Sequence, residues 1–444
     1  MTAIFMTFIL EGIACAAIGM PSASIETCNI VSIFLLFINA LVMVSYLSRR
    51  YKKYDRAVMK AMLLSLLLKV LLILWDYYGV NIFVLPNSHA DSESYHWMGI
   101  NFARYGRRVE NYGYLVGMIY KFFGVQRMTA QYLNVIFSFI GISYLARTLE
   151  VLDVEETVKN KTLKFAAFLP NYLIIASVLI RECIISMILS ISIYHFAKWW
   201  KRNNTTDLIF SMAFSLGACY FHPGAVAVTI GTAIVLILTK PNPDGGRKFN
   251  IGIKSVVLSM LFFAVFMFMF DEFSDSIFHK FGGMTIESID NYIEDHDFYS
   301  GEGDDSSKYY AGVEGYSGIT GILINSPIRM IYFLWVPMPW DFRGIGDIIG
   351  FLGSSLFYGG TAFAGIYQVF KRRGKPGDKT RLIAFLIIAL CGAFVFAWGT
   401  ESAGSALRHR EKFYYVYLTL FAALQEYKSA EGLVSSKRRK HRSA

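Results

Sequence analysis

The densest group of side chains able to do chemistry lies at residues 89–96, where the sequence His-Ala-Asp-Ser-Glu-Ser-Tyr-His brings two carboxylates and two imidazoles together. A carboxylate can take the proton from a hydroxyl group, and its effectiveness depends on a pKa set by burial and neighbouring charge. Carboxylates and imidazoles are also ordinary metal ligands, but this spacing is not diagnostic of a metal site. We therefore interpret Asp91 and Glu93 as candidate catalytic residues and His89 and His96 as candidate binding groups, with a divalent cation optional and no cofactor required.

The composition predicts the class of protein that positions this group. The chain has 444 residues, of which 55% are hydrophobic and 16% aromatic, and its mean hydropathy is +0.42. Such values, with repeated apolar runs long enough to cross a bilayer, are typical of an all-α polytopic membrane protein. The net charge of +10 comes from Lys and Arg clusters between the apolar runs, which favours contact with membrane lipids over nucleic acid. The five cysteines lack ligand-like spacing, so neither a disulfide framework nor a zinc site is predicted.

Run lengths and basic clusters predict about twelve transmembrane helices in a multi-pass protein of the cell (cytoplasmic) membrane, with both termini in the cytoplasm. Basic clusters at 49–56, 198–202 and 437–440 mark the cytoplasmic side. The first apolar run lacks a basic segment before it, so we expect it to be retained as a helix. The predicted crossings are 3–20, 27–48, 57–80, 126–147, 163–179, 183–199, 205–221, 224–239, 255–270, 345–369, 381–399 and 412–425.

The segments between these crossings complete a single integral membrane domain, 1–444. Residues from Glu272 to Glu314 contain eleven Asp or Glu against two Lys, which favours an exposed external loop. Within the run 57–80, Lys69 and Asp76 are seven residues apart and share a helical face, so they form either an intramembrane ion pair or a polar patch inside the bundle. The other predicted segments are an external catalytic loop with an interfacial helix at 81–125, a cytoplasmic loop at 150–164, an acidic loop with a re-entrant or interfacial run at 271–343, and a basic cytoplasmic tail at 427–444.

This topology places most of the chain's candidate chemical groups on the external face. Arginines there can hold a phosphate through forked, charge-assisted hydrogen bonds and neutralise charge that develops as a bond to it breaks. Paired carboxylates beside such a basic region suit group transfer from an activated, phosphate-linked donor. The predicted external residues are His89, Asp91, Glu93, His96, Arg181, Glu182, His222, Arg329, Arg343, Arg408, His409 and Arg410.

Each of these groups also has a plainer interpretation. Asp91 could cap a helix in a solvated loop. Arg181-Glu182 could be a structural ion pair at a helix hinge, and His222 before Pro-Gly could simply be a turn residue. Arg408 and Arg410 could anchor a helix end to lipid phosphates.

Several motifs in residues 60–240 resemble the first external loop and following helices of the GT-C superfamily of membrane glycosyltransferases. The motifs are Asp91-x-Glu93-x-Tyr95-His96, Tyr112-Gly-Tyr-Leu, Lys121-Phe-Phe-Gly124, the hinge Arg181-Glu182 and the break His222-Pro-Gly. The later stretch Arg408-His-Arg-Glu-Lys-Phe resembles the arginine-bearing external turn of bacterial surface-polysaccharide transferases and repeat-unit polymerases.

This resemblance implies a GT-C-like fold and an inverting transfer from a polyprenyl-phosphate or polyprenyl-diphosphate sugar donor, with Asp91 as the base. The acids here are Asp-Ser-Glu, whereas the family pattern has them adjacent, so the base remains open between Asp91 and Glu93. The family's large C-terminal external domain is not found in this sequence, which favours a glycan acceptor. Two alternatives remain: a lipid-linked oligosaccharide flippase or transporter, and a non-catalytic partner of polysaccharide assembly proteins.

Overall fold

The computed structural model is built almost wholly of helices. It describes residues 2–88, 90–243, 246–250, 252–253, 257, 318–371, 376–400 and 402–427. The helices are α1 (Thr2–Ala17), α2 (Ile25–Arg50), α3 (Arg56–Tyr78), α4 (Ala90–Tyr105), α5 (Asn111–Phe123), α6 (Arg127–Val151), α7 (Glu156–Phe168), α8 (Pro170–Ile175), α9 (Glu182–Arg202), α10 (Thr205–Cys219), α11 (Val226–Leu238), α12 (Gly318–Trp335), α13 (Ile345–Gly350), α14 (Leu356–Phe370), α15 (Pro376–Trp398), α16 (Ala403–Glu411) and α17 (414–427). Short 3-10 turns occupy Met20–Ser22, Pro223–Ala225 and Pro339–Asp341, and a π turn at Phe351–Ser355 joins α13 to α14.

Six helical segments of the described residues are long and apolar enough to cross a membrane. They are α2, α3, α6, α9, the continuous run Ile345–Phe370 and the part of α15 from Lys379. The predictions of apolar helices at 27–48, 57–80, 126–147, 183–199, 345–369 and 381–399 are therefore confirmed. Helices α1, α10 and α11 are shorter and apolar, and a helix over 414–427 covers the predicted run 412–425. The total of twelve stays a prediction.

The prediction of one continuous helix across 163–179 is wrong, and a crossing there stays a prediction. Helix α7 ends at Phe168, and the short helix α8 begins at Pro170. Proline disfavours helical backbone in the residue before it, and Leu169 is accordingly extended, with φ −62° and ψ 116°. Because Pro170 lacks a backbone N–H, it suits the first position of the new helix.

Several segments predicted as loops or turns are ordered differently. Residues 90–96 begin helix α4, 156–164 lie in α7, and 403–410 belong to α16. Their polar side chains hid helical spacing, because charged residues at a helix end look like loop residues in a hydropathy profile. The basic stretch after α11 contains a two-stranded antiparallel hairpin, in which β1 (Thr239–Pro241) pairs with β2 (Arg247–Phe249). The acidic stretch 271–316 and the tail beyond residue 427 lie outside the described residues.

The first of two compact units comprises Met1–Ser143 and Asn160–Met187. Helices α4 and α5 pack against each other as a hairpin in this unit. Helix α5 ends at Gly124, whose φ of +81° favours glycine, and a Cβ there would lie 2.5 Å from the carbonyl oxygen of Met20. Side-chain caps fix other helix starts, since Ser24 accepts a hydrogen bond from the Thr27 N–H at 3.2 Å. These features fix the end of α5 and the start of α2 within the unit.

The second unit comprises Tyr144–Lys159 and Ile188–Ala444. Helices α10 and α11 form a hairpin through His222-Pro223-Gly224, which confirms the predicted turn. Helix α11 packs on α15 at Gly231, where an added Cβ would lie 2.7 Å from the Ile388 Cα. This close packing on α11 fixes the position of α15. Helix α15 carries several of the aromatic residues around which polar side chains of the unit gather.

Candidate functional site

Helix α4 carries the candidate carboxylates of the first unit in its first turn. Asp91 and Glu93 are both partly buried, and negative charge at a helix N-terminus is favoured by the helix dipole. Tyr95 and His96 follow in the next turn, Tyr95 buried and His96 partly buried. The predicted partner His89 lies outside the described residues.

Arg127, the first residue of α6, is the centre of the polar contacts around this helix start. Its guanidinium forms an ion pair with Glu93, forms a second one with Asp76 at 3.4 Å, and donates to the Ser92 hydroxyl at 3.1 Å. The Asp76 side chain is fully buried and also accepts from Gln131 at 2.6 Å. A buried carboxylate needs such partners because its desolvation is costly.

For Lys69 the sequence left two alternatives open, and the structure shows the polar interior of the bundle and not an ion pair with Asp76. The Lys69 ammonium instead donates to Ser138 at 2.9 Å and lies 4.2 Å from the centroid of the Phe139 ring. The two residues share one helix, as their spacing predicted, but among the described residues each has different partners. Lys69 thus belongs to the polar interior of the first unit.

The non-helical segment between α8 and α9 is fixed to the same region by two side chains. The Asn134 amide group donates to the carbonyl oxygens of Val178 and Ile180, both at 2.8 Å, and its own oxygen accepts from Tyr112 at 3.1 Å. The Ser92 hydroxyl accepts from the Leu179 N–H at 3.3 Å. This segment between α8 and α9 is therefore held beside the start of α4.

His96 lies in an environment that favours its neutral form. Its Nδ1 is 2.7 Å from the Tyr120 hydroxyl, which is buried in α5. Burial, reinforced by the positive charge of Arg127 and opposed by Glu93, lowers the pKa of His96 from 6.5 to about 4. At neutral pH the ring is uncharged, so Nδ1 can accept the hydrogen bond from Tyr120.

Among the described residues, the ion pair that the structure shows for Arg181 is with Glu110 and not with Glu182. The Arg181 guanidinium lies 3.6 Å from a Glu110 carboxylate oxygen and 5.9 Å from the centroid of the Tyr95 ring, which places it near α4. Glu182 is buried at the start of α9. Arg181 thus lies near α4 within the first unit, and its role in binding a substrate stays a prediction.

The second unit gathers His222 and His409 around an aromatic side chain of α15. The His222 ring stacks on Phe396 with centroids 4.9 Å apart and lies 5.3 Å from the His409 ring. Nδ1 of His409 is 3.2 Å from the Thr400 hydroxyl. His222 also accepts a hydrogen bond from the Gly224 N–H through Nδ1, so it has the turn-stabilising role that the sequence left open.

Two further cations lie near the C-terminal end of α15. The guanidinium of Arg329 lies 4.4 Å from the centroid of the Trp398 ring, and the Lys412 ammonium lies 5.5 Å from that of Phe396. Both side chains are buried, and burial lowers the pKa of Arg408 from its ordinary value. We call Arg329 and Lys412, together with the rings of His222 and His409, the cationic cluster. Aromatic faces attract cations and so help to keep these charges in place.

Arg410 and Glu411 have contacts that indicate a structural role. Arg410 donates to the carbonyl oxygens of Phe333, Leu334 and Val336 at 3.1, 2.7 and 2.6 Å, and so satisfies backbone groups at the end of α12. Glu411 is buried and accepts from the Tyr358 hydroxyl at 2.9 Å. Arg410 was predicted to bind phosphate, but here its guanidinium is engaged by the protein's own backbone.

The remaining predicted groups and several unpredicted ones complete the description. Arg343 is exposed, and its backbone N–H donates to Asp347 at 2.8 Å. Among the described residues no three His, Cys, Asp or Glu side chains are arranged to hold a metal ion.

The sequence analysis did not single out Arg127, Gln131, Glu411 and Lys412. The signal for Arg127 was its position, because a basic residue at the start of a helix opposes the helix dipole and needs acidic partners.

Comparisons of the chain with protein family models, with curated proteins and with solved structures found no match. The function is therefore argued from the two groups of residues described above.

Proposed function

We propose that the chain is a bacterial cell-membrane glycosyltransferase or polysaccharide repeat-unit polymerase. It would transfer a sugar or oligosaccharide from a polyprenyl-phosphate or polyprenyl-diphosphate donor to a glycan acceptor on the outer face. The observation that carries the proposal is the first turn of α4, where Asp91 and Glu93 are partly accessible and one of them is held by Arg127. A general base must be accessible to the acceptor hydroxyl and must have a fixed position.

The two carboxylates have different roles in this proposal. The resemblance to GT-C glycosyltransferases favours Asp91 as the base. The ion pair of Glu93 with the Arg127 guanidinium suits Glu93 to positioning, because it reduces the lone pairs that Glu93 can offer to a substrate. His96 is neutral at physiological pH, so it can hydrogen-bond a sugar hydroxyl without adding charge.

The cationic cluster lies in the second unit and is suited, within that unit, to a phosphate-bearing ligand. Arg329 and Lys412 bring positive charge to Trp398 and Phe396, and the rings of His222 and His409 lie beside them. Cations in a desolvated site stabilise the charge that grows on a departing phosphate more strongly than they would in water. Arg408, on the same short helix as His409, is a further candidate for this role.

The test uses a deletion strain complemented with single variants, with membrane insertion checked for each. Asp91→Asn should abolish polymer formation, and Glu93→Gln should reduce it. Glu156→Gln is the matched control, because Glu156 is an exposed acid in the first turn of another helix. Full polymer from both the Asp91 and Glu93 variants would contradict the proposal.

The mass of the lipid-linked intermediate that accumulates in the Asp91→Asn strain separates the alternatives. One complete repeat unit on the outer face indicates a polymerase, and a truncated unit indicates a transferase for one sugar. A complete unit retained on the inner face indicates a flippase or transporter. An unchanged intermediate together with loss of a co-purifying protein indicates an assembly partner.

A further inference from the structure

A cavity of about 530 Å³ lies between the C-terminal ends of α6 and α9 in the second unit, away from the cationic cluster's residues. Its size is within the range of small-molecule binding sites. Both helices are candidate membrane spans, so the cavity opens where two apolar helices pass into polar sequence. The lining residues are Arg147, Glu150, Val151, Asp153, Tyr194, Lys201 and Arg202.

The cavity has more positive than negative charge, and its cations differ in their partners. Lys201 pairs with Asp153 at 2.5 Å. Arg147 and Arg202 form no ion pair with any residue that the structure describes. Two guanidinium groups thus line one cavity with their forked donors available to a ligand.

Aromatic side chains give one of these guanidinium groups a defined position. The Arg147 guanidinium lies 5.1 Å from the centroid of the Tyr144 ring, and Tyr144 in turn meets Tyr194 edge to face at 5.5 Å. A cation held over an aromatic face loses less freedom when it binds a ligand. The dipoles of α6 and α9 favour cations at their C-termini, which explains why Lys201 and Arg202 occur there. That effect gives no account of the placement of Arg147 over Tyr144.

We propose that this cavity binds a phosphate ester through Arg147 and Arg202. The chemistry fits the headgroup of an anionic phospholipid, since the cavity lies at the end of two apolar helices, and it also fits a soluble phosphate ester. Arginine forks match phosphate geometry and bind it with charge-assisted hydrogen bonds. Tyr194 offers a hydroxyl for the remainder of the ligand. The inference does not depend on the proposed transferase activity.

The test measures binding to the purified full-length protein in detergent by native mass spectrometry and by thermal stabilisation. The probes are dioleoyl phosphatidylglycerol, dioleoyl phosphatidylcholine and glycerol 3-phosphate. Arg147→Gln with Arg202→Gln should weaken binding of the anionic probe about tenfold or more, because two charge-assisted hydrogen bonds are removed. If the double variant folds poorly, the single variant Arg202→Gln, at an exposed position, still tests the proposed site.

The matched control is Arg49→Gln with Arg50→Gln. These two arginines end another candidate span, α2, and Arg50 lies over the Tyr51 ring at 5.8 Å much as Arg147 lies over Tyr144. The control should bind the anionic probe like the unsubstituted protein. Equal losses in both double variants would mean general attraction to anionic lipid and would overturn the proposal.

The probes identify the source of the phosphate. Preference for phosphatidylglycerol with no competition by glycerol 3-phosphate assigns the cavity to a lipid headgroup. Competition by glycerol 3-phosphate assigns it to a soluble ester. If neither probe binds in a way that depends on Arg147 and Arg202, the proposed site is refuted.

Discussion

The guanidinium of Arg127, the first residue of α6, forms an ion pair with Glu93 in the first turn of α4. The same guanidinium contacts Asp76 near the end of α3, so one side chain joins three helices of the first unit. The arrangement connects a buried carboxylate, which needs a partner for stability, to a more accessible one, which can serve the proposed chemistry. Stability and function in this region therefore share one residue.

Arg127→Gln should destabilise the protein. The Asp76 side chain is fully buried, and removing its cationic partner from such a pair typically costs about 3–5 kcal/mol. The expected result is a lower melting temperature in detergent. Adding Asp76→Asn to Arg127→Gln should recover part of the loss, because no buried charge is then left without its cation. Arg104→Gln, at an exposed position in α4, should have little effect.

His96 should make stability depend on pH between about 4 and 6.5. Its pKa in the folded protein is about 4 and its ordinary value is 6.5, so the unfolded chain binds more protons in this window. The stabilising contribution is present above pH 6.5 and is lost as the pH falls towards 4, by up to about 3 kcal/mol. In curves of melting temperature against pH, the unsubstituted protein should lose stability relative to His96→Gln as the pH falls from 6.5 towards 4. Parallel curves across the range would contradict this.

Tyr358→Phe should cost about 1–3 kcal/mol of stability, because it removes a hydrogen bond to the buried Glu411 carboxylate. Tyr367→Phe is the control, since Tyr367 lies on the same helix and is exposed. Thermal unfolding of the two variants under the same conditions measures the difference. Equal melting temperatures would show that the Tyr358 hydroxyl contributes nothing.

Gly231→Ala should destabilise the packing of α11 on α15 by about 1–3 kcal/mol, because the new methyl group meets the Ile388 backbone. Gly217→Ala on α10 has open space at the same atom and should be neutral or stabilising by up to about 1 kcal/mol. The comparison needs only melting temperatures. A harmless Gly231→Ala would mean that the two helices can separate at little cost.

Arg410→Lys and Arg408→Lys should have different effects. A lysine ammonium has no fork with which to reach the carbonyls of Phe333, Leu334 and Val336, so Arg410→Lys should lower the melting temperature. Arg408→Lys should reduce polymer formation, if Arg408 serves the donor phosphate, because a lysine ammonium cannot bind phosphate in a forked geometry. Polymer assays and melting curves on both variants separate the two roles.

The long apolar helices could be predicted from the sequence because their signal is local. Each of the runs at 27–48, 57–80 and 126–147 has enough consecutive apolar residues to identify a helix without knowledge of its neighbours. The short elements were predicted less well. Pro170 breaks a run that hydropathy alone makes continuous, and the polar starts of α4 and α16 look like loops.

The contacts of the candidate site depend on tertiary packing and could not be predicted in this way. The spacing of Lys69 and Asp76 placed both on one face of α3, but it could not show that Arg127, fifty-one residues after Asp76, supplies the partner. Likewise, the motif around Arg408 and Arg410 identified a basic segment. Only the structure shows that Arg410 is directed at backbone carbonyls.

The unequal burial of α2 and α6 has a consequence for how the sequence can change over time. Only 33% of the apolar window in α2 is buried, against 89% in α6. A lipid-facing surface accepts almost any apolar side chain, whereas a helix enclosed by protein must keep the volume and shape of each residue. Across relatives of this chain, α2 should drift freely among Leu, Ile, Val and Phe, while α6 should change slowly and in step with its neighbours.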